Sequence, residues 1–289
     1  MKPLRMHLVI ANILIVGMVG SFGSSVLAVD DRSDLAAFDI KNFSRPAIID
    51  NKWMPLKPGM QLVYEGWTVD DEGKREKHRV IDVITDLVKV INGIETVVLW
   101  ERDYVDDKLE ESELAFRAQD DAGNVWHLGE VKEVYDGNLK LIGAKTWMAG
   151  RLGALAGIIM PGKPAEGTPS YSQGLALGVY AWNDRGQVRK VGEEATVPAG
   201  TFKDVIVTEE WSKGVQAAGA PQLKYYAPGI GYIKMGWEGK DLVKETLELA
   251  KVLQLNAQET DKARAEALLV EERAYYYGRT TDPPRRRQR

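Results

Sequence analysis

Residues 89–100, KVINGIETVVLW, decide the fold: Asn92-Gly93 sits between Ile91 and Ile94, with β-branched and aromatic residues beyond. Both central residues of a two-residue hairpin turn need positive φ, and Asn-Gly tolerates that best. The flanks are therefore read as antiparallel partners, residues 75–91 as one strand and 95–104 as the next. Outward from this hairpin the period stays at two rather than 3.6. On the N-terminal side, residues 60–68 form a strand that ends at the turn Asp70-Asp71-Glu72-Gly73. On the C-terminal side, Val105-Asp106-Asp107 leads into a strand on which Leu114, Phe116 and Ala118 face one way and Glu113, Arg117 and Gln119 the other. Asp120-Asp121-Ala122-Gly123-Asn124 turns the chain again, residues 125–135 make a fifth strand, and Asp136-Gly137-Asn138 leads to a sixth over 139–143. Consecutive strands on short polar turns predict an antiparallel meander.

Residues 147–161 break this pattern, being apolar with Gly150, Gly153 and Gly157, and with Arg151 as the only charge. They read either as a mobile apolar lid or as a buried connection packed closely through its glycines. Residues 166–174 read as a loop rich in turn formers. Period two then returns over 179–183, with a turn at Asp184-Arg185-Gly186 and a strand over 187–191. Val197-Pro198-Ala199-Gly200-Thr201-Phe202 leads into another strand, and 223–226, 232–237 and 242–255 complete the set, with Leu247, Leu249, Leu253 and Leu255 sharing a face. Ala263, Ala267, Val270 and Ala274 change to helical spacing, with Thr260 or Asp261 placed to cap. The expected fold is mainly β: a curved antiparallel meander, half-barrel or sandwich, with one C-terminal helix.

The first 28 residues divide into a positive start (Lys2, Arg5), an apolar run from Leu8 to Val19, and a small polar zone ending Val26-Leu27-Ala28. That is the layout of a cleavable signal peptide, and its apolar run is shorter than the roughly 20 residues a spanning helix needs. The expected organisation is a signal peptide over 1–28, an extended arm over 29–54, a β domain over 55–256, a helix over 257–278 and a basic disordered tail over 279–289. The chain has no cysteine, which excludes a disulfide scaffold and an anchor through a lipidated cysteine. Net charge is −4, while the last eleven residues carry five arginines and one acid. An acidic body argues against nucleic acid as the main partner.

Catalytic signatures are sparse: beyond the signal, the histidines are His78 and His127, and no P-loop, Gly-x-Ser-x-Gly or dinucleotide fingerprint occurs. No cofactor, metal or catalytic residue is assigned. Asp120–Asn124 has calcium-loop residue types without the spacing, and reads as a turn. The most site-like stretch is Trp126-His127-Leu128-Gly129-Glu130; plain alternation puts His127 opposite Trp126, Leu128 and Glu130. Glu209 and Glu210 point to opposite faces, so only one can face an interior. Eight tryptophans and Tyr225-Tyr226 supply aromatics, which line pockets as readily as they fill cores. Trp126, His127, Trp147, Tyr171, Trp211, Tyr225 and Tyr226 are the candidate ligand-binding residues.

The turns Pro55-Leu56-Lys57-Pro58-Gly59, Val197–Phe202 and Tyr226-Ala227-Pro228-Gly229-Ile230-Gly231-Tyr232 resemble a group of uncharacterised exported bacterial β-sheet proteins, similar in outline to the half-barrels of envelope lipoprotein carriers. The likeness runs over about residues 53–255 and carries fold rather than chemistry. It implies a concave face able to hold an acyl chain.

The leading expectation is an exported, periplasmic or secreted binding protein for an amphiphilic small molecule, with no transmembrane segment after signal cleavage. The alternatives are a secreted hydrolase or lyase using His127 with Glu209 or Glu210, and a structural envelope component docked through the C-terminal helix and arginine tail.

Overall fold

The computed structural model describes residues 35–70, 72–177, 183–212, 221–239, 244–277 and 285–287. The expected signal peptide, the start of the arm, nearly all of the strand expected over 179–183 and most of the tail lie outside these residues. The strands in chain order are β1 (Met60–Val69), β2 (Arg75–Ile91), β3 (Ile94–Val105), β4 (Lys108–Gln119), β5 (Val125–Tyr135), β6 (Leu141–Met148), β7 (Leu155–Met160), β8 (Tyr171–Ser172), β9 (Gly174–Leu175), β10 (Asp184–Val197), β11 (Gly200–Ser212), β12 (Gln222–Ala227), β13 (Gly231–Trp237) and β14 (Thr246–Gln254). Helix α1 (Ala257–Tyr277) and the two-residue β15 (Arg285–Arg286) follow. The fold is mainly β, a nearly closed, antiparallel, barrel-shaped sheet with one helix near the C-terminus.

Sheet order is β8-β10-β11-β12-β13-β14-β1-β2-β3-β4-β5-β7-β9, with β6 on β5 and β15 on β2. The Asn92-Gly93 hairpin forms as read, with both residues at positive φ and Ile91 opposite Ile94. The two ends of the order meet where β8 pairs with β10 and β9, one residue further on, pairs with β7. This seam depends on missing side chains. A Cβ on Gly157 would lie 2.2 Å from the Gly174 nitrogen, and one on Gly186 2.8 Å from the Tyr171 ring.

Several expectations are corrected. Residues 147–161 are neither lid nor plain connection: β6 runs through Trp147 to Met148, a turn follows with Gly150, Leu152 and Gly153 at positive φ, and β7 returns along β5. The sixth strand begins at Leu141, because Asp136 closes a longer turn by accepting from the backbone of Asn138 and Lys140. Asp184-Arg185-Gly186 is the start of β10, paired with both β8 and β11, rather than a turn. Leu253 is exposed because the β1–β14 register shifts at Val63/Tyr64, which takes β14 off the face shared by Leu247 and Leu249. The helix begins earlier than Thr260. Asn256 Oδ1 accepts from the Glu259 N–H at 3.0 Å and Glu259 Oε2 from the Asn256 N–H at 2.9 Å, a reciprocal capping box. Of the tail, which was expected to be disordered, Arg285 and Arg286 lie along β2 opposite Val88 and Leu87, and Arg286 reaches Asp86 at 3.1 Å.

Two apolar clusters lie on opposite faces of the sheet. One lies inside the barrel and joins Met60, Leu62, Tyr64, Ile84 and Val97 to Ile206, Tyr226, Ile233, Met235, Leu247 and Leu249. Ala47, Ile49 and Leu56 from the arm join it, while Trp53 donates to the Asp204 carbonyl and the Gly229 N–H to that of Lys52. The arm thus crosses from one wall to the other at one mouth of the barrel. The second cluster lies on the outer face of β2–β5: Val83, Leu87, Ile91, Val98, Trp100, Leu114, Phe116, Trp126 and Leu128 under Ala263, Ala267, Val270 and Ala274 of α1. The small helix residues allow close approach, and Glu271 pairs with Lys89 at 2.6 Å within the contact. Among the described residues, no helix is long and apolar enough to cross a membrane.

Candidate functional site

Because α1 covers the apolar face of β2–β5, the polar face of those strands turns into the barrel. Cross-strand register fixes what meets there. Asp82 lies opposite Glu101, Glu101 opposite Glu113, Glu113 opposite Lys132, and Lys132 opposite Lys145. On one side of this row runs Ile84–Leu99–Ala115–Glu130–Trp147, and beyond that Val97–Arg117–His127–Gly157. On the other side lie Val80, Asp103, Glu111 and Val134. Directly opposed side chains stand about 5 Å apart at Cβ, so three carboxyls crowd in succession along one row.

Asp82, Leu99, Glu101 and Arg117 keep part of their surface accessible although protein surrounds them. They border space within the barrel. Glu111, Glu113, Glu130 and Lys132 form a sealed floor beside them, all buried. Lys132 Nζ meets Glu111 at 2.9 Å and Glu113 at 3.3 Å. Neither carboxylate oxygen of Glu130 has a hydrogen-bond partner, although the group is fully buried. Facing this wall, Tyr64 donates to the Tyr232 carbonyl at 3.1 Å and its ring lies 4.9 Å from that of Tyr232. Tyr226 donates to Glu210 at 3.2 Å, and Lys224 holds Glu210 at 2.7 Å.

Burial pushes Asp82, Glu101 and Glu113 well above the ordinary carboxylate range, and their mutual repulsion adds to it: Glu113 acts on Asp82, Asp82 on Glu101, and Glu130 on Glu113. Glu111 is raised as well, because burial and the nearby Asp103 and Glu130 outweigh Lys132, whose own pKa the carboxylates raise against the cost of burial. Burial, and then the charge of Arg117, hold His127 far below its usual value. His127 is therefore a neutral imidazole, its Nε2 3.0 Å from the Gly129 carbonyl and its ring edge-on to Trp147 at 4.7 Å.

A second polar group lies further along the wall. His78 Nε2 is 2.8 Å from Asp103 and Nδ1 is 3.1 Å from Glu245. Burial works against a charge here, but Asp103, then Glu245 and Glu101, overcome it and raise the pKa to about 9. These three residues offer ligand atoms within 4.8 Å of one another and could hold a metal ion. A ring nitrogen on each carboxylate fits an imidazolium better, since a metal-bound histidine leaves only one nitrogen for such a partner.

Of the seven candidate ligand residues, His127, Trp147, Tyr171 and Tyr226 face the interior. Tyr171 lies against Gly186 at the seam, close enough to Tyr226 and Glu210 to feel their charge. Trp126 lies outside, edge-on to Phe38 and Phe43 and donating to Asp120 at 2.8 Å. Trp211 follows the inward Glu210, so alternation turns it away from the interior. Tyr225 sits beside Lys234, which is paired with Glu248. Of the two adjacent acids Glu210 is the inward one, whereas Glu209 is near Arg189. Of His127, Glu209 and Glu210, the first and last face the interior and Glu209 turns away from it.

Alternation failed at one place with consequence. A register shift places Phe116 opposite Gly129 but Arg117 opposite His127, so Leu128 is the extra residue and His127 and Glu130 share a face after all. The wall residues Asp82, Glu101, Glu113, Arg117, Glu130 and Lys132 had a visible signal, charge at every second position opposite an apolar face, but such a face is ordinarily turned to solvent.

No protein-family model matches the chain, and no curated protein matches it. Two solved structures are similar in shape. One is a protein of Bacteroides fragilis described as exported and as having a YmcC-like fold, 13% identical, with a TM-score of 0.40 over 70% of this chain and 99% of that one. The other is a protein of Parabacteroides distasonis described as a lipoprotein, 10% identical, with a TM-score of 0.39 over 71% of this chain and all of the other. Neither likeness bears on ligand or chemistry.

Proposed function

We propose that this chain is exported and acts outside the cytoplasm as a binding protein, taking an amphiphilic small molecule into the barrel. The observation that carries the reading is the division of the interior. One wall offers Tyr232, set among Leu62, Tyr64, Met235, Leu247 and Leu249, to an apolar body, and the other offers Asp82, Glu101 and Arg117 to a polar end. Ligand sites combine a mostly apolar lining with a few placed polar groups, and burying ionisable groups without such a use costs several kcal/mol, about, for each. Export rests on Lys2 and Arg5, the apolar run to Val19 and the Val26-Leu27-Ala28 site.

The test is native mass spectrometry of the processed protein purified from its own host, followed by melting curves with single-chain amphiphiles. The expected result is a retained small molecule, or a melting temperature raised by amphiphiles and not by their short-chain analogues. No retained mass and no shift with any amphiphile would overturn the proposal.

A further inference from the structure

The β2–β5 wall carries more acid than its neighbours neutralise. Asp82, Glu101, Glu111, Glu113 and Glu130 stand against Arg117, Lys132 and Lys145. Across the barrel Glu210 already has Lys224, while on the same wall His78 alone lies between two acids, Asp103 and Glu245. Lys132 serves Glu111 and Glu113, which leaves Asp82, Glu101 and Glu130 around Arg117. Glu130 is fully buried with both oxygens unpartnered, and Asp82 Oδ1 also lacks a donor. A buried carboxylate without a donor forfeits its hydration and receives nothing in return. Arg117 Nη1 is likewise buried without an acceptor, but this one guanidinium stands among three acids, so the row is short of positive charge; the aromatic rings of Tyr64, Tyr226 and Tyr232 stand opposite, surfaces that favour an organic cation.

We infer that the polar end of the ligand is cationic, a protonated amine seated at Asp82 and Glu101, the carboxyls of the row that keep accessible surface, with its apolar body against Leu99 and Tyr232. This rests on the amphiphile reading and narrows it to one charge class. An anionic head such as a fatty carboxylate would meet repulsion from the same row, and Arg117 alone would not offset it. The acids of the row are raised when the barrel is empty, chiefly by burial. An arriving ammonium ion favours their ionised form, so binding releases protons to the buffer. Affinity therefore falls as pH falls and Asp82, Glu101 and Glu113 protonate; Arg117, Lys132 and Lys224 keep their charge and His127 stays neutral in that range.

The experiment is isothermal titration of the processed full chain with octylamine, octanoate and octanol, each below its aggregation threshold, in buffers of different ionisation enthalpy. The expected result is that octylamine binds at least tenfold more tightly than the other two, releases protons, and weakens from about pH 8 to about pH 6. Asp82→Asn and Glu101→Gln, both near-isosteric, are expected to weaken octylamine tenfold or more relative to octanol, with circular dichroism confirming the fold. Octanol or octanoate binding as tightly as octylamine overturns the cationic head while the amphiphile reading stands. Failure of all three overturns both. If Asp82→Asn and Glu101→Gln leave octylamine binding intact, the amine is seated elsewhere and the site assignment falls.

Discussion

The two walls of the barrel bury opposite things. On β1 and β11–β14 the inner face is the greasy one, with Tyr64, Ile206, Tyr226, Met235, Leu247 and Leu249 inside, while the outer face carries ion pairs such as Lys234–Glu248 and Arg189–Glu238. On β2–β5 the order is inverted. The greasy face looks outward, beneath α1, and the charged face looks in. One antiparallel sheet tolerates both arrangements because each strand has two independent faces. The difference lies in what covers the outside. Where nothing covers the sheet, apolar residues must go in. Where a helix does, the apolar face of the strands can be buried outside the barrel, and charged side chains can line part of the interior.

The comparison breaks most sharply at Phe116, fully buried on the outer face of β4 beneath the helix, between the inward Ala115 and Arg117. If the outer face is the true core of this wall, Phe116→Ala removes contacts to both sheet and helix and costs about 3–5 kcal/mol. Urea denaturation followed by far-ultraviolet circular dichroism reads it. A loss below about 1 kcal/mol, the scale of an ordinary surface change, would mean that α1 is a dispensable cover and that the inversion has no energetic basis.

The next largest effect is in the pH dependence. Folding raises the pKa of His78 and of the row Asp82, Glu101 and Glu113 alike, so the folded chain holds protons that the unfolded chain gives up. That contribution is fully present below the unfolded values and fades as pH rises through the folded ones. For His78 the window runs from 6.5 to about 9, and its share is on the order of 3 kcal/mol. His127 and Asp86, whose pKa values are lowered, pull the other way only below that window. Stability is thus expected to fall steadily from pH 6.5 to about pH 9, and His78→Gln to flatten the slope. A slope that survives His78→Gln unchanged would place the titrating group elsewhere in the inner wall.

These walls were unequally legible. Hairpins such as Asn92-Gly93 and Asp106-Asp107 are local events set by which residues accept positive φ, so the meander could be read from neighbours in sequence. Inside and outside are not local. Alternation on β4 separates Glu113 and Arg117 from Leu114 and Phe116, but which set faces the interior depends on Ala263, Ala267 and Ala274, more than 140 residues later. The spacing of those alanines announced a helix and said nothing about where it would lie. Bulges were silent too: the one at Leu128 put His127 and Glu130 on the same face by inserting a single residue that fits the apolar outer cluster. The seam at Gly157 and Gly186 was visible only as glycine in an apolar stretch and in an expected turn, because the backbone it admits comes from the far end of the sheet order.

The smallest effect is the most discriminating. Glu101 stands between Asp82 and Glu113 on adjacent strands, and like charges directly opposed in a sheet are destabilising. Glu101→Gln removes one charge from the middle of the row, keeps its shape, and supplies an amide N–H to Asp82 in place of a shared proton. At about pH 8, where the row is driven toward ionisation, the variant is expected to be more stable than the parent by up to about 1 kcal/mol. At about pH 5 the row is protonated in both proteins, and the difference is expected to vanish. A purely structural role for Glu101 predicts instead a loss that is the same at both pH values. A gain confined to the higher pH is what a row of carboxyls held together against its own repulsion requires, and the same repulsion is what an incoming cation would relieve.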